Sequence, residues 1–489
     1  MSDLSLFIVA AILIPAVGAA FIASSGSKPN VREAYTLVTA ALLFVVVFLL
    51  VPSVMQGARP STEGFDILPG LTVQFVIEPL GMIFAMIAST LWIVNSIYSV
   101  GYMRGNNEKN QTVFYTCFAI AIASTMGIAF AGNLLTLFLF YEVLTLSTYP
   151  LVTHKGNDDA KAGGRMYLGI LLTTSVVFLL PAVIGTYFVA GTGDFTIGGI
   201  IPKDESPFVI AALSVLFIYG IGKAAVMPVH RWLPAAMVAP TPVSALLHAV
   251  AVVKAGVFSV VKIIVYVFGL DMFSGSGSTG WVVYAAGFTV LVASIIALGQ
   301  DNLKRRLAYS TVSQLSYVVL AAAMATPLAI IGAAMHITAH AFGKITLFFA
   351  AGSIYTAAHK TEISQLNGIG KRMPFTMAAF TIGALSMIGV PPTAGFLGKW
   401  YILSAAMEIK DWFVLFVIFV STLLNTGYFV PIIYRAFFKA EDVPPSHDHG
   451  EAPWPVVLAL SLTALGTLSL FLFPEVPLTL AKALVGQVL

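Results

Sequence analysis

YGIGKAAVMPVHRWLPAAMVAPTPVSALLHAVAVVKAG, residues Tyr219 to Gly256, sets Lys223, Lys254 and His248 in apolar sequence interrupted by four prolines. A lysine at the centre of a bilayer costs about 2.5–3.5 kcal/mol even on the lenient insertion scale, so each needs a compensating partner or a wet cavity. Helix-breaking prolines at membrane depth are tolerated only where the opened backbone is buried in protein or lines such a cavity. Both features point to ion movement and away from simple anchoring.

The rest of the chain agrees with a membrane reading. Hydrophobic residues make up 58% of 489 residues, charged residues only 10%, and the mean hydropathy is +0.93. So little polar surface cannot cover a water-soluble globule of this size, and the expected class is an all-α polytopic membrane protein. The single cysteine, Cys117, excludes an intrachain disulfide framework and a cysteine-ligated cluster or zinc site. The net charge of +3 carries no inference about nucleic acid. The N-terminal run MSDLSLFIVAAILIPAVGAAF has Asp3 where a leader peptide carries positive charge, and Lys28 and Arg32 follow it. It is expected to be a retained first span that enters from the outside.

Apolar runs long enough to cross a bilayer fall at about 4–23, 33–52, 78–99, 111–130, 133–152, 165–190, 207–227, 243–268, 279–299, 307–324, 327–358, 374–407, 411–438 and 454–473. About fourteen transmembrane helices follow, forming a single membrane domain over 1–489, with both termini on one side. The odd-numbered connections hold sixteen basic residues, among them Lys28, Arg104, Arg165, Arg231, Lys304 and Arg372; the even connections and the C-terminal end hold Arg59, Lys203, Lys410 and Lys482. This asymmetry places the odd connections in the cytoplasm and both termini outside a cell membrane. The segments 53–77 and 190–206 and the Ser/Gly tract from Ser274 to Ser278 read as solvated connectors.

Charge inside the spans is sparse and specific. Glu142, in NLLTLFLFYEVLTLSTYP, is the one carboxylate well inside a span, with Glu78 near the mouth of the third. His336, His340 and Lys344, in HITAHAFGK, recur every four residues and share one helical face. Lys399 follows a break at Pro391 and Pro392 in GVPPTAGFLGKWYIL. Lys262, near the outer end of its span, is expected to snorkel to the interface. An intramembrane histidine also serves simply to bridge helices by hydrogen bonds, and that alternative stands for His248, His336 and His340. The His336/His340 spacing suits a metal, but no third ligand of the right type is nearby, so no metal and no cofactor is expected. His447 and His449, in SHDHGE, are the other pair able to bind metal, and a polar loop carries such a pair by chance.

The seventh span carries Lys223 before its break at Pro228 and Pro234, whereas the twelfth carries Lys399 after its break at Pro391 and Pro392. Opposite order is what an inverted repeat produces, with discontinuous helices meeting near the midplane. The expected organisation is therefore three helices in 1–110, a five-helix repeat in 111–270, an inverted five-helix repeat in 279–438, and a cytoplasmic loop with a last helix in 439–489.

The segment from Pro228 to Gly256, the HITAHAFGKITLFF face and the GVPPTAGFLGKW break closely resemble the antiporter-like subunits shared by respiratory complex I, membrane-bound hydrogenases and Mrp-type cation/proton antiporters. The resemblance implies the fourteen-helix fold, other membrane subunits as partners, and proton conduction along a central polar axis coupled to Na+ or K+. It places Glu142 as the fifth-helix glutamate, Lys223 as its lysine partner, Lys254 and Lys344 as connecting residues with His248, His336 and His340 beside them, and Lys399 as the lysine of the second broken helix. Lysine at 399, together with the short sequence after the last span, is expected of an Mrp D-like subunit. The chain is otherwise expected to be the proton-pumping membrane subunit of an NADH:quinone oxidoreductase or a hydrogenase, or the membrane subunit of an energy-coupled inorganic-carbon uptake complex. It has no dinucleotide fingerprint or cysteine cluster, so electron transfer is expected to reside in other subunits. Lysine suits a relay because burial favours its neutral form and a nearby carboxylate its charged form.

Overall fold

The computed structural model describes residues 3–68, 71–275, 277–441 and 450–486. His447 and His449 lie outside these residues. Apolar runs become helices because a backbone in lipid must satisfy its own hydrogen bonds. The helices are α1 (Asp3–Ser24), α2 (Pro29–Met55), α3 (Pro79–Gly105), α4 (Gln111–Ala129), α5 (Leu134–Val152), α6 (Asp158–Ala190), α7 (Pro207–Gly220), α8 (Thr241–Phe268) and α9 (Trp281–Leu298). They continue with α10 (Leu303–Ala323), α11 (Pro327–Ala358), α12 (Pro374–Ile388), α13 (Ala394–Glu408), α14 (Trp412–Phe438), α15 (Trp454–Leu472) and α16 (Glu475–Gly486). Among the described residues eleven helices are long and apolar enough to cross a membrane, and α7 and α12 are shorter apolar helices.

Starts are marked by the expected chemistry. Asn133, Asn157, Asn302, Thr326 and Asp411 cap α5, α6, α10, α11 and α14 by accepting from a backbone N–H three residues on. Proline occupies the first turn of α2, α3, α7, α11 and α12, where no N–H is needed.

Both expected breaks are present. After α7 ends at Gly220 the chain passes through a 3₁₀ turn, Gly222–Ala224, and further short turns through Val238 before α8 begins. Lys223 sits in the first of these turns, ahead of Pro228 and Pro234. The second break separates α12 from α13 at Gly389–Thr393, around Pro391 and Pro392. Gly389 has φ +93°, and a Cβ there would lie 2.7 Å from Lys399 Cδ, so the break demands glycine on two counts.

Every residue of α8 is buried, and α11 is nearly so, which makes these two helices the axis of the bundle. α8 lies against the first break so closely that a Cβ on Gly256 would sit 2.3 Å from the Lys223 carbonyl carbon. A Cβ on Gly398 of α13 would likewise meet His336 at 2.8–2.9 Å. Leu13, Val38, Phe288, Phe419 and Leu465 face outward from α1, α2, α9, α14 and α15, forming a shell suited to lipid.

Three local expectations change. The connector 53–77 is ordered: Phe65–Leu68 and Leu71–Val73 form a hairpin, β1–β2, and Phe75 bridges Ala131 at the start of the α4–α5 turn. Asn133 Nδ2 donates to the Thr72 carbonyl at 2.8 Å, so backbone groups near the apolar shell find protein partners. Lys262 does not snorkel. It is fully buried because Glu78, at the start of α3, gives it a carboxylate 3.1 Å away within the protein. Finally, α16 follows α15; at 12 residues, with Leu480, Ala481 and Leu484 buried, it is too short to register as a membrane-crossing run.

Candidate functional site

The expected residues fall on or beside the buried axis. Lys223 is held by α5: its Nζ donates to Thr145 Oγ1 at 2.6 Å and to the Tyr141 carbonyl at 2.9 Å, and lies 3.1 Å from the Tyr141 ring centroid. The Tyr141 hydroxyl accepts from the Lys223 backbone N–H at 3.0 Å, so one tyrosine fixes both the turn and the side chain. Glu142, the next residue, is half-buried and interacts electrostatically with Lys223 without forming an ion pair. Its Oε1 is enclosed and has no hydrogen-bond partner in the protein.

Lys254 of α8 reaches across to α11, where its Nζ lies 2.6 Å from His340 Nδ1. His336 stands one turn away, with ring centroids 6.2 Å apart, and packs against Tyr317 at 5.5 Å. His248 occupies a π-helical turn of α8, Leu246–Val250, and lies 4.6 Å from the Phe348 ring. Such a turn widens the helix and recurs at functional positions. Both nitrogens of His248 and His336, and Nε2 of His340, are buried without a protein partner. The bridging alternative for His248 therefore finds no hydrogen bond to support it, whereas His340 does bridge.

Beyond this point the polar chain is continuous. Lys344 Nζ donates to Ser310 Oγ at 2.7 Å and to the Leu307 carbonyl at 3.2 Å. The Tyr428 hydroxyl donates to the same Ser310 Oγ at 3.0 Å. With its amide oriented so that both ends are satisfied, Asn425 donates to the Tyr428 hydroxyl at 2.5 Å and accepts from Lys399 Nζ at 3.2 Å and from Gln314 Nε2 at 3.0 Å. Lys399 Nζ also donates to the Ile388 carbonyl at 2.9 Å, one of the open carbonyls at the end of α12, where a cation is favoured. Lys344, Ser310, Tyr428, Asn425 and Lys399 thus form an unbroken hydrogen-bonded path between two lysines.

Ser310, Gln314, Asn425 and Tyr428 escape a search based on charge, since none is ionised. A signal does exist in α10, where Ser310, Thr311, Ser313, Gln314 and Ser316 crowd into a span and are all buried. Among the described residues no group of three or more histidine, cysteine or acidic side chains is arranged to hold a metal.

A second charge cluster surrounds Lys262 of α8. Arg59 Nη2 is 2.7 Å from Glu78 Oε1, Glu78 Oε2 is 3.1 Å from Lys262 Nζ, and Lys262 Nζ donates to the Ala131 carbonyl at 2.7 Å. The Phe195 ring lies 4.5 Å from the same ammonium.

Comparison with known proteins places these features. The model of the family described as NADH:quinone oxidoreductase/Mrp antiporter, TM, matches residues 131–425. The NADH-quinone oxidoreductase subunit N of Desulforudis audaxviator (strain MP104C) is 35% identical over 398 residues, covering 79% of this chain and 77% of that protein. The chloroplastic NAD(P)H-quinone oxidoreductase subunit 5 of Ipomoea purpurea is 29% identical over 453 residues, covering 88% of this chain but 62% of that longer protein. In fold, the chain matches one from the structure of the Mrp complex from Dietzia sp. DQ12-45-1b with a TM-score of 0.88 at 21% identity, over 100% and 98% of the two chains. It matches a chain of the membrane-bound sulfane sulfur reductase, an archaeal respiratory membrane complex, with a TM-score of 0.87 at 22% identity, over 98% and 97%.

Proposed function

Because the chain belongs to the NADH:quinone oxidoreductase/Mrp antiporter transmembrane family, and so is an antiporter-like membrane subunit of complex I-like or Mrp complexes, we propose that it moves protons along its buried lysine–histidine axis. The observation that carries this reading is the hydrogen-bonded path from Lys344 through Ser310, Tyr428 and Asn425 to Lys399. In this reading Lys254 and His340, 2.6 Å apart, relay between that path and the first half, where Lys223 and Glu142 supply a cation and an acid. The enclosed nitrogens of His248 and His336 and Oε1 of Glu142 are sites that water would meet, and water would complete the relay. A change in the Glu142–Lys223 separation would load and unload a proton at Lys223, and charge repulsion would pass the signal along the axis.

Fourteen crossings follow if α7, α10 and the α12–α13 pair are added to the eleven long apolar helices. The two breaks then belong to inverted repeats, 111–270 and 279–438, with both termini outside the cell membrane. The parent complex is an Mrp-type Na+ or K+/H+ antiporter in which this chain is D-like, a reading supported by lysine at 399. A second reading, the pumping arm of a redox complex, is favoured by the 35% identity to an NADH-quinone oxidoreductase subunit N. Co-purifying subunits separate the two: small multi-span subunits with Na+-dependent proton movement for the first, iron–sulfur and flavin subunits for the second.

The transport reading is tested in proteoliposomes of the assembled complex carrying an internal pH dye. Glu142→Ala and Lys399→Ala are each expected to reduce ion-coupled proton movement to background, and wild-type rates from both would end it. Tyr428→Phe removes the hydroxyl that links Asn425 to Ser310 while keeping the ring in the core. It is expected to slow translocation by roughly tenfold, the cost of one buried hydrogen-bonded link, with the thermal midpoint little changed.

A further inference from the structure

An open cleft of about 910 Å³ lies where α1 ends, α2 and α4 begin and α3 ends. Lys28, Arg32 and Arg104 line it, opposed by Glu108 in the cleft and by Glu33 beside it. Arg104 is committed to Glu33 and to Asn30, and Arg32 is 4% exposed, giving its two terminal nitrogens to Gln111 and Thr112 and lying 3.7 Å from Glu33 Oε1. Its Nε is buried without a partner, and Lys28 is exposed. The first residues of α2 and α4 face this region without a side-chain cap, so open N–H groups add to the positive potential.

A second groove of about 400 Å³ runs between α1, α4 and α5, lined by Ala16, Ala20 and Ala23 on α1 and by Thr116, Ile120 and Ser124 on α4. Its α1 stripe leads one turn on to Gly26, and its α4 stripe one turn back to Thr112, both of which line the basic cleft. The two cavities therefore follow the same pair of helix faces, one polar and cationic at the bundle end, the other apolar and alongside the shell. Thr116 Oγ1 lies in the apolar groove with no hydrogen-bond partner.

We propose that the basic cleft and the alanine-lined groove together form a binding site for an anionic phospholipid, with the phosphate at Lys28 and Arg32 and an acyl chain along α1 and α4. A basic pocket between helices at one membrane face fits such a headgroup. The small side chains leave room for a chain.

The test uses the complex purified through a tag on this chain, delipidated and then offered phosphatidylglycerol, phosphatidylcholine or inorganic phosphate, with bound lipid counted by native mass spectrometry. Phosphatidylglycerol is expected to be retained over phosphatidylcholine. Lys28→Gln, at an exposed position, should weaken that retention about fivefold. Ala20→Trp, which fills the groove from its exposed side, should also lower it while leaving inorganic phosphate binding untouched. Equal retention of the two lipids, or wild-type retention by both variants, overturns the proposal. So does full displacement of phosphatidylglycerol by inorganic phosphate with Ala20→Trp inert, which would indicate a free-anion site, or a photocrosslinker at Ala20 that captures a neighbouring subunit. Lipid retention is read independently of transport, so it fails or succeeds apart from the proton relay.

Discussion

Lys254→Ala is expected to lower ion-coupled proton movement by the assembled complex at least about a hundredfold, the lower end of what a positioned proton-transfer group contributes. Lys254 is the one ionisable side chain of α8 in hydrogen-bond contact with the histidine face of α11, through His340 Nδ1 at 2.6 Å. In the proposed relay its loss separates Lys223 and Glu142 from the Lys344–Lys399 path. Loss of transport alone would also result from a collapsed core, so the informative partner is Lys254→Arg. Arginine keeps the positive charge but does not release its proton under biological conditions. It should therefore fail to restore transport while leaving assembly and thermal midpoint near wild type. Recovery of transport by arginine would mean that Lys254 supplies a fixed charge and no proton step. The measurement is the rate of internal pH change in proteoliposomes.

The largest effect on stability is expected from Glu78→Ala. Glu78 is completely buried between Arg59 and Lys262, and Lys262 is buried as deeply. Removing one partner of a buried pair leaves the other charge uncompensated, at a cost of about 3–5 kcal/mol. Here the half-buried loop residue Arg59 can turn to solvent, but Lys262 cannot, since Phe195 and the Ala131 carbonyl enclose its ammonium. A clear fall in the thermal midpoint of the detergent-solubilised complex is expected. Glu78→Ala combined with Lys262→Met removes both charges and should recover most of the loss. A double variant as unstable as the single one would show that the cost lies in packing.

The fold was legible because apolar length and helix-breaking residues speak directly about a chain in lipid. Pro391 and Pro392 announce a break that the structure places between Ile388 and Ala394. The lysines and histidines of the axis were legible for a related reason: a lone ionisable group in an apolar run is costly enough to demand an explanation. What stayed hidden was uncharged or depended on distant partners. Ser310, Asn425 and Tyr428 cost little individually and look like ordinary helix contacts, yet they connect Lys344 to Lys399. Lys262 was misread because its partner, Glu78, is far away in sequence, and only the packing of α3 against α8 brings them together. The π-helical turn at His248 likewise has no signature in the local sequence.

Comparing Lys223→Ala, Lys399→Ala and the double variant in one proton-flux measurement distinguishes a single serial path through both halves of the chain from two separate ones. A serial relay predicts that each single substitution brings the flux to background and that the double variant is no worse. Two independent half-channels would instead leave about half of the flux in each single variant and remove the remainder only in the double, a result that would contradict the account.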